Sequence, residues 1–350
     1  FDAARVEAIT RLGEKAIEYQ CDFIIVAGDV FEHNSISAKT RERALAALAA
    51  LPVDVYLLPG NHDPLTADSI FYRAESHPRI HVFTDSTPIE VAPGVELIGA
   101  PWHSKTPSCD LVSHAIADLE PAATIRIVVG HGQLDNRSND IRMDIIDRDT
   151  VEAAIRGGTI DYLALGDTHS AMSLSDTGAI WFSGAPEVTA FRELPSGQGE
   201  NNSGKVLIVD ITESAAVQGE VTVTETQIGT WRFDAISADV NSLDDVRDFI
   251  AQLDAYPRKD RTVIKYSLVG AVDLATRQRL EAELARLRPL FAHLYPRTRT
   301  MNLTTAATDV DIADLDLSGF VLAAAQELAT DTDPVASDAL NLLFQLHNEV

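Results

Sequence analysis

The sequence contains few cysteines, few basic residues and no long apolar run. Cys21 and Cys109 are too few for a disulfide framework or a cysteine-rich zinc site, so a reducing cytoplasm is expected. No apolar stretch approaches the roughly 18 residues of a membrane-spanning helix. No basic segment precedes an apolar one, as it would in a signal peptide. These absences predict a cytoplasmic protein that does not enter a membrane.

The shortage of basic residues makes the chain strongly acidic. It has 28 Lys and Arg residues against 53 Asp and Glu residues, a formal net charge of -25. Such a balance argues against a broad basic surface for nucleic acid. With hydrophobic residues at 45%, the chain is too apolar for a disordered protein. Its 350 residues predict about two domains, at roughly 150 residues each.

Helical and strand-like patterns alternate in the first half of the chain. Segments with helical apolar spacing precede short apolar runs that end at glycine, as expected for strands buried on both faces. The predicted helices are 2–19 and 38–51, and the predicted strands are 22–27, 53–58, 125–129 and 160–165. This order is typical of βαβ units, whose parallel strands place their carboxyl ends at one edge of one sheet. Sheets of this kind bind ligands at that edge.

The later patterns predict the rest of the domain organisation. A hairpin over 172–182 and two further strands complete a first domain, residues 1–230. Residues 231–310 alternate again between strand and helix and predict a small α/β domain. Residues 311–350 contain amphipathic stretches, which either dock a partner or pack on their own domain.

Polar side chains follow four of the predicted strands in turns that contain glycine. They are Asp29, Asn61, His62, Asp63, His131, Asp167 and His169. Taken one at a time, a Gly-Asp or Gly-His pair is equally compatible with an ordinary turn that has no functional role. As a set, carboxylate, amide and imidazole groups suit a borderline divalent metal such as Mn, Fe or Zn. Two such ions about 3.5–4 Å apart support in-line attack on phosphorus.

The ordered set of motifs resembles the signature of calcineurin-type metallophosphoesterases. The motifs are Gly28-Asp29, Gly60-Asn61-His62-Asp63, Gly130-His131 and Gly166-Asp167-Thr168-His169. Asp29-Val30-Phe31-Glu32 and Ser183-Gly184-Ala185-Pro186 are further similar to SbcD-type DNA-repair exonucleases. By motif the likeness covers residues 1–210, and for 231–310 it rests on layout alone. It implies an α/β fold, a sandwich of two mixed β-sheets flanked by helices, plus a small α/β capping domain.

The resemblance also implies a metal centre and a role for each residue in it. The implied ligands are Asp29, Asn61, His131, Asp167 and His169. Asp29 would bridge two divalent ions, with His169 on the first and the other three on the second. Mn is favoured, and Fe or Zn would also suit. In the family's last motif, Gly-His-x-His, a histidine stands where this chain has Asp167, a change that favours a harder ion.

Two further roles follow from the resemblance. His62 would be a catalytic residue that does not bind metal and that either stabilises the transition state or protonates the leaving oxygen, with Asp63 orienting its ring. The side chain that lines the site after the second motif is left open between Glu32 and His33. Members of the family also begin with a strand carrying Asp-x-His, and nothing before Asp22 matches it. The first ion would then bind poorly to this chain, which would show little nuclease activity.

The favoured function is Mn-dependent hydrolysis of DNA by a repair exonuclease or endonuclease of SbcD type. One alternative is a phosphoesterase for small molecules or nucleotides on the same fold. Another is a metal-binding scaffold that has lost catalysis. The implied partners are DNA and an SbcC-type coiled-coil ATPase, which would dock on residues 311–350, and a homodimer remains open.

Overall fold

The computed structural model describes residues 1–74, 77–135, 145–212, 220–305 and 318–331, with 333, 335, 336, 339, 340 and 343. The chain forms two compact units. The first comprises Phe1–Thr189 and Glu200–Trp231, and the second comprises Ala190–Gly199 and Arg232–Val350. Residues 190–199, which the sequence pattern assigned to the first domain, thus belong to the second unit.

The secondary structure follows the predicted alternation closely. The helices are α1 (Asp2–Glu18), α2 (Ala38–Ala49), α3 (Phe71–Ala74), α4 (Leu111–Ile116), α5 (Arg148–Arg156), α6 (Leu243–Asp254), α7 (Leu274–Leu287) and α8 (Gly319–Thr330). The first nine strands are β1 (Phe23–Val26), β2 (Asp54–Leu57), β3 (Ile80–Val82), β4 (Ile89–Ala92), β5 (Val95–Gly99), β6 (Ile125–His131), β7 (Gln133–Asp135), β8 (Ile145–Asp147) and β9 (Tyr162–Gly166). The others are β10 (Met172–Ser173), β11 (Ile180–Phe182), β12 (Arg192–Leu194), β13 (Lys205–Thr212), β14 (Glu220–Gln227), β15 (Arg232–Asp239), β16 (Thr262–Val272), β17 (His293–Pro296) and β18 (Asn302–Thr305).

A three-stranded parallel sheet, in the order β1-β2-β3, opens the first unit. Successive side chains of a strand point to opposite faces. Val55 and Leu57 therefore share one face, where they pack in a cluster with Leu45 of α2. Tyr56 points to the other face and packs with Leu97 of β5. Burial on both faces explains why these strands are apolar runs without alternation.

A six-stranded mixed sheet, in the order β10-β11-β9-β6-β5-β4, forms the second layer. Its inner strands β5, β6 and β9 are parallel, and the predicted hairpin is the antiparallel pair β10-β11. Leu163 and Val128 are fully buried, and the same cluster includes Val112 of α4 and Ile155 of α5. The first unit is therefore a mixed α/β fold with packed sheets and flanking helices, which confirms the predicted fold class.

The strand ends that carry the motifs belong to two sheets, not one. β1 and β2 lie in the three-stranded sheet, whereas β6 and β9 lie in the six-stranded sheet. The expectation of a single sheet edge was wrong, because apolar runs reveal strands but not their pairing. The two edges nevertheless meet: a ring nitrogen of His131, the last residue of β6, lies 2.8 Å from the carbonyl of Ala27, which follows β1.

The second unit is built on a parallel sheet in the order β12-β15-β16-β17, with β18 also paired to β16. Its core includes Phe249 of α6, Ile264 of β16 and Leu284 of α7. Ser242 and Asp273 cap the amino ends of α6 and α7 with their side chains. Of the predicted amphipathic segment 311–350, the structure describes α8 and a few residues beyond it, and the remainder lies outside the described residues. No helix among the described residues is long and apolar enough to cross a membrane.

Candidate metal centre

Glycines allow the two sheet edges to approach each other at the motif turns. A Cβ on Gly60 would collide with the backbone and carboxylate of Asp29, and one on Gly28 would collide with the His131 ring. A Cβ on Gly166 would meet the carbonyl of Ala27. These three glycines, at or just beyond the ends of β1, β2 and β9, are therefore needed for the close approach of the turns.

Two of the acidic residues adopt backbone conformations that side chains rarely take. The φ angles are +50° for Asp29 and +94° for Asp167, in the region that favours glycine. Such conformations cost on the order of 1–3 kcal/mol each and concentrate at functional sites. Here they turn two carboxylates, one from each sheet, toward the same imidazole ring.

That ring belongs to His131, which is almost fully buried. Its Nδ1 lies 2.8 Å from the carbonyl oxygen of Ala27, which can only accept, so Nδ1 carries a hydrogen and donates it. The other nitrogen, Nε2, faces Oδ2 of Asp29 at 3.2 Å and Oδ1 of Asp167 at 3.8 Å. The side-chain amide of Asn61 lies 2.9 Å from the same nitrogen. Four strand ends thus deliver their side chains to one point.

The charges at this point are strongly coupled. Burial alone would raise the pKa of Asp29, but the hydrogen bond and charge of His131 lower it overall. Burial alone would lower the pKa of His131, but the hydrogen bond and charge of Asp29 raise it overall. Two carboxylates facing one imidazole therefore favour a positive charge between them.

The spacing of the donor atoms fits a shared divalent cation. Ligands that each bind one ion at about 2.1 Å lie about 3.0–3.4 Å from one another. The separations of 2.9 and 3.2 Å from Nε2 of His131 to Asn61 and Asp29 are close to this, and Asp167 is slightly farther. Within the described ranges, no three His, Cys, Asp or Glu side chains already stand in place around a metal. Asp167 would have to move inward to complete the set.

The amide of Asn61 can serve this point in either orientation. With its oxygen toward His131, it offers a metal ligand. With its nitrogen there, it donates to Asp29 at 3.1 Å and to Nε2 of His131 at 2.9 Å.

His62 stands at the rim of the site with an exposed ring. Its backbone N–H donates to Oδ1 of Asp29 at 3.0 Å, which ties the turn after β2 to the turn after β1. Its ring nitrogen Nδ1 lies 3.2 Å from the backbone oxygen of Glu32 and 3.5 Å from that residue's carboxylate. Of the two side chains left open by sequence, Glu32 is the one placed beside His62.

Asp63 is fully buried, and its carboxylate accepts hydrogen bonds from backbone N–H groups rather than from the His62 ring. Its two oxygens accept the N–H groups of Phe31 at 2.8 Å and Gly60 at 2.9 Å. Burial, the largest effect, raises the pKa of Asp63 to about 6 despite these two hydrogen bonds. These contacts of Asp63 join the turns after β1 and β2. They do not orient the His62 ring, which was the role expected for Asp63.

The described contacts of His169 are with other residues than those around His131. Its Nδ1 is 2.7 Å from the hydroxyl of Thr189 and 3.3 Å from the carboxylate of Glu200. Among the described contacts, none joins His169 to Asp29, with which it is expected to share an ion. Thr189 and Glu200 went unnoticed in the sequence, because they lie outside every motif and a turn-rich loop separates them.

Comparison with known proteins gives the family. A model of the calcineurin-like phosphoesterases matches residues 3–195, more than half of the chain. A crystal structure of TT1561 from Thermus thermophilus is 11% identical, with 63% of this chain and 94% of that chain covered and a TM-score of 0.39. A second solved structure is 17% identical, with 63% and 95% covered and a TM-score of 0.36. No curated protein matches the sequence. On the strength of the family model, the chain belongs to the calcineurin-like phosphoesterases.

Proposed function

We propose that this chain is a metal-dependent phosphodiesterase that cleaves DNA, in the manner of SbcD-type repair nucleases. The family hydrolyses phosphoesters and generally uses two divalent metals. The observation that supports the proposal most is the convergence of Asp29, Asn61 and Asp167 on Nε2 of His131. These four residues would hold one cation, and His169 with Asp29 would hold the other.

The chain's own groups divide the work of hydrolysis between them. When bound, the cations would activate a water and neutralise the phosphodiester, with Mn the favoured metal. His131 is held by the Ala27 carbonyl so that its lone pair at Nε2 faces the ions. The exposed ring of His62 would give a proton to the leaving oxygen, while its backbone N–H donates to Asp29.

Sequence context supports DNA as the substrate, but the negative charge of the chain argues against it. The segments Asp29–Glu32 and Ser183–Pro186 resemble those of SbcD-type nucleases. Against this, two divalent ions change the formal charge only from -25 to about -21. That acidity favours a small phosphoester as the alternative substrate, unless a partner supplies positive surface.

We also propose that residues 311–350 dock an SbcC-type coiled-coil ATPase. Phe320 of α8 is 82% exposed and could contact a partner, although Ala325 of the same helix is buried and packs with Leu274 of α7. Deleting 312–350 should leave Mn binding intact and abolish co-purification with the ATPase. Unchanged co-purification would refute the docking role.

The test of function is a hydrolysis assay with Mn on linear DNA and on bis(p-nitrophenyl) phosphate. The chain should cleave both only with the metal, and slowly, as expected from the poor binding of the first ion. His62→Ala should lose about 10²-fold or more in rate with unchanged Mn affinity, as expected for a proton donor. His114→Ala, at an exposed position on α4, is the matched control and should behave like the unaltered chain.

Other results of the same assay separate the alternatives. Cleavage of the small diester without cleavage of DNA would favour a small-molecule phosphoesterase. Mn binding without cleavage of either substrate would favour a catalytically inactive scaffold. Metal-independent cleavage, or full activity in His62→Ala, would contradict the proposal.

A further inference from the structure

His169 is connected to a buried carboxylate through a threonine hydroxyl. The side chain of Glu200 is only 3% exposed, whereas that of His169 is 59% exposed. Oε1 of Glu200 accepts the backbone N–H of Thr189 at 2.7 Å, and Oε2 lies 2.6 Å from the Thr189 hydroxyl. That hydroxyl lies 2.7 Å from Nδ1 of His169. All three residues belong to the first unit.

The donor and acceptor of each hydrogen bond between Glu200, Thr189 and His169 follow from the number of hydrogens that each group carries. With Glu200 as a carboxylate, which only accepts, the single hydrogen of the Thr189 hydroxyl goes to Glu200. The short contact between that hydroxyl and His169 then requires a hydrogen from the ring, on Nδ1. In the neutral ring, Nε2 is left with the lone pair.

We propose that Glu200, acting through Thr189, is a positioning residue that fixes His169 in the tautomer able to bind a cation through Nε2. The inference rests on the proposed function, in which His169 is a metal ligand. Metal-binding histidines commonly donate their second N–H to a carboxylate or carbonyl, which sets the tautomer and the ring orientation. His131 is held in the same tautomer by Ala27, so both imidazoles present Nε2.

The substitution Glu200→Gln should reverse this chain of hydrogen bonds with little change in shape. The amide oxygen of glutamine must accept the Thr189 backbone N–H, since that group can only donate. The amide NH2 then faces the Thr189 hydroxyl and donates to it. The hydroxyl hydrogen turns to Nδ1 of His169, and the ring proton moves to Nε2. The lone pair needed for a cation is lost.

The tautomer can be observed without metal or substrate. The 15N shifts of His169 in metal-free, histidine-labelled chain, at about pH 8 where an ordinary histidine is neutral, report which nitrogen carries the proton. A His169→Gln sample assigns the signals. We expect the proton on Nδ1 in the unaltered chain and in Thr189→Ser, and on Nε2 in Glu200→Gln. A proton on Nε2 in the unaltered chain, or no change in Glu200→Gln, would overturn the inference.

Mn binding by calorimetry supplies the second readout. Glu200→Gln and Thr189→Val should weaken the poorer of the two Mn binding events, the one that uses His169, by about 10- to 100-fold, the usual cost of losing an outer-sphere partner. Thr189→Ser should keep full affinity. In a His169→Ala background, Glu200→Gln should have no further effect; an additional loss there would show a merely structural role and overturn the inference.

The two readouts distinguish failure of this inference from failure of the proposed function. If the tautomers are as expected but the unaltered chain binds no Mn, the proposed function fails and the metal-positioning role fails with it. If Mn binds and DNA is cleaved while Glu200→Gln changes neither tautomer nor affinity, only the role of Glu200 is overturned.

Discussion

Asp63 shows how one buried side chain can support a site without taking part in its chemistry. Its carboxylate accepts hydrogen bonds from the backbone N–H of Phe31, after β1, and of Gly60, after β2. It thereby fixes the two turns that carry Asp29 and Asn61. The charge is costly to bury, which is why the pKa of Asp63 is raised to about 6. Because two backbone N–H groups donate to Asp63, a replacement side chain must accept two hydrogen bonds to satisfy both.

We expect Asp63→Asn to destabilise the metal-free chain by about 1–3 kcal/mol. The asparagine oxygen can accept one of the two N–H groups, and its NH2 would face the other, leaving a buried donor unsatisfied. Urea unfolding measures the change. Asp85→Asn is the control, because Asp85 accepts a backbone N–H from Thr87 at an exposed turn, and it should cost less than half as much. Equal losses would contradict the argument.

At the scale of the elements, the sequence revealed the strands and their ends but not the sheets. Apolar runs that stop at glycine predict β1, β2, β6 and β9, and the structure confirms them. Their division between two sheets could not be predicted, since the apolar sequence of a strand buried on both faces does not show which strand it pairs with. The Thr189–Glu200 pair could not be predicted either, because loop contacts follow no periodicity.

The turn at the end of β2 should tolerate no side chain at Gly60. We expect Gly60→Ala to push on Asp29, destabilise the chain by about 1–3 kcal/mol and weaken Mn binding at least tenfold. Gly178→Ala is the control: its φ is +74° but its Cβ would meet no atom, so only backbone strain of about 1 kcal/mol applies. Denaturant unfolding and Mn titration check both. Normal Mn affinity in Gly60→Ala would contradict the account.

In the second unit, β12 is attached to β15 by side chains as well as by the sheet. The buried carboxylate of Asp234 pairs with Arg192 of β12 at 3.1 Å and with Arg232 at 2.7 Å, and it accepts the hydroxyl of Tyr256 at 2.6 Å. This arrangement explains why residues 190–199 belong to the second unit.

We expect Asp234→Ala to destabilise the second unit by about 2–4 kcal/mol, because it leaves Arg192 and the Tyr256 hydroxyl without their buried acceptor. Unfolding monitored by amide hydrogen exchange in β12 and β15 measures the loss. Asp244→Ala is the control, since Asp244 pairs with Arg247 at the surface and should cost about 0–1 kcal/mol. Unchanged protection of β12 in Asp234→Ala would contradict this account.

For the whole molecule, net charge and local charge have different meanings. The formal charge of -25 weighs against DNA as a substrate, yet part of the acidity, Asp29 and Asp167, is placed to hold cations. Composition alone could not separate these two contributions. It took the fold, which brings acidic turns from two sheets around one imidazole, to show which carboxylates act together.

The central claim is that the ends of β1, β2, β6 and β9 form one divalent metal site around His131. Mn titration of the intact chain, followed by electron paramagnetic resonance, tests it most directly when repeated on His131→Ala. We expect a bound Mn signal in the unaltered chain and an affinity lowered by about 100-fold or more in the variant, since a direct ligand matters at least as much as an outer one. Equal Mn binding by the two proteins would contradict it.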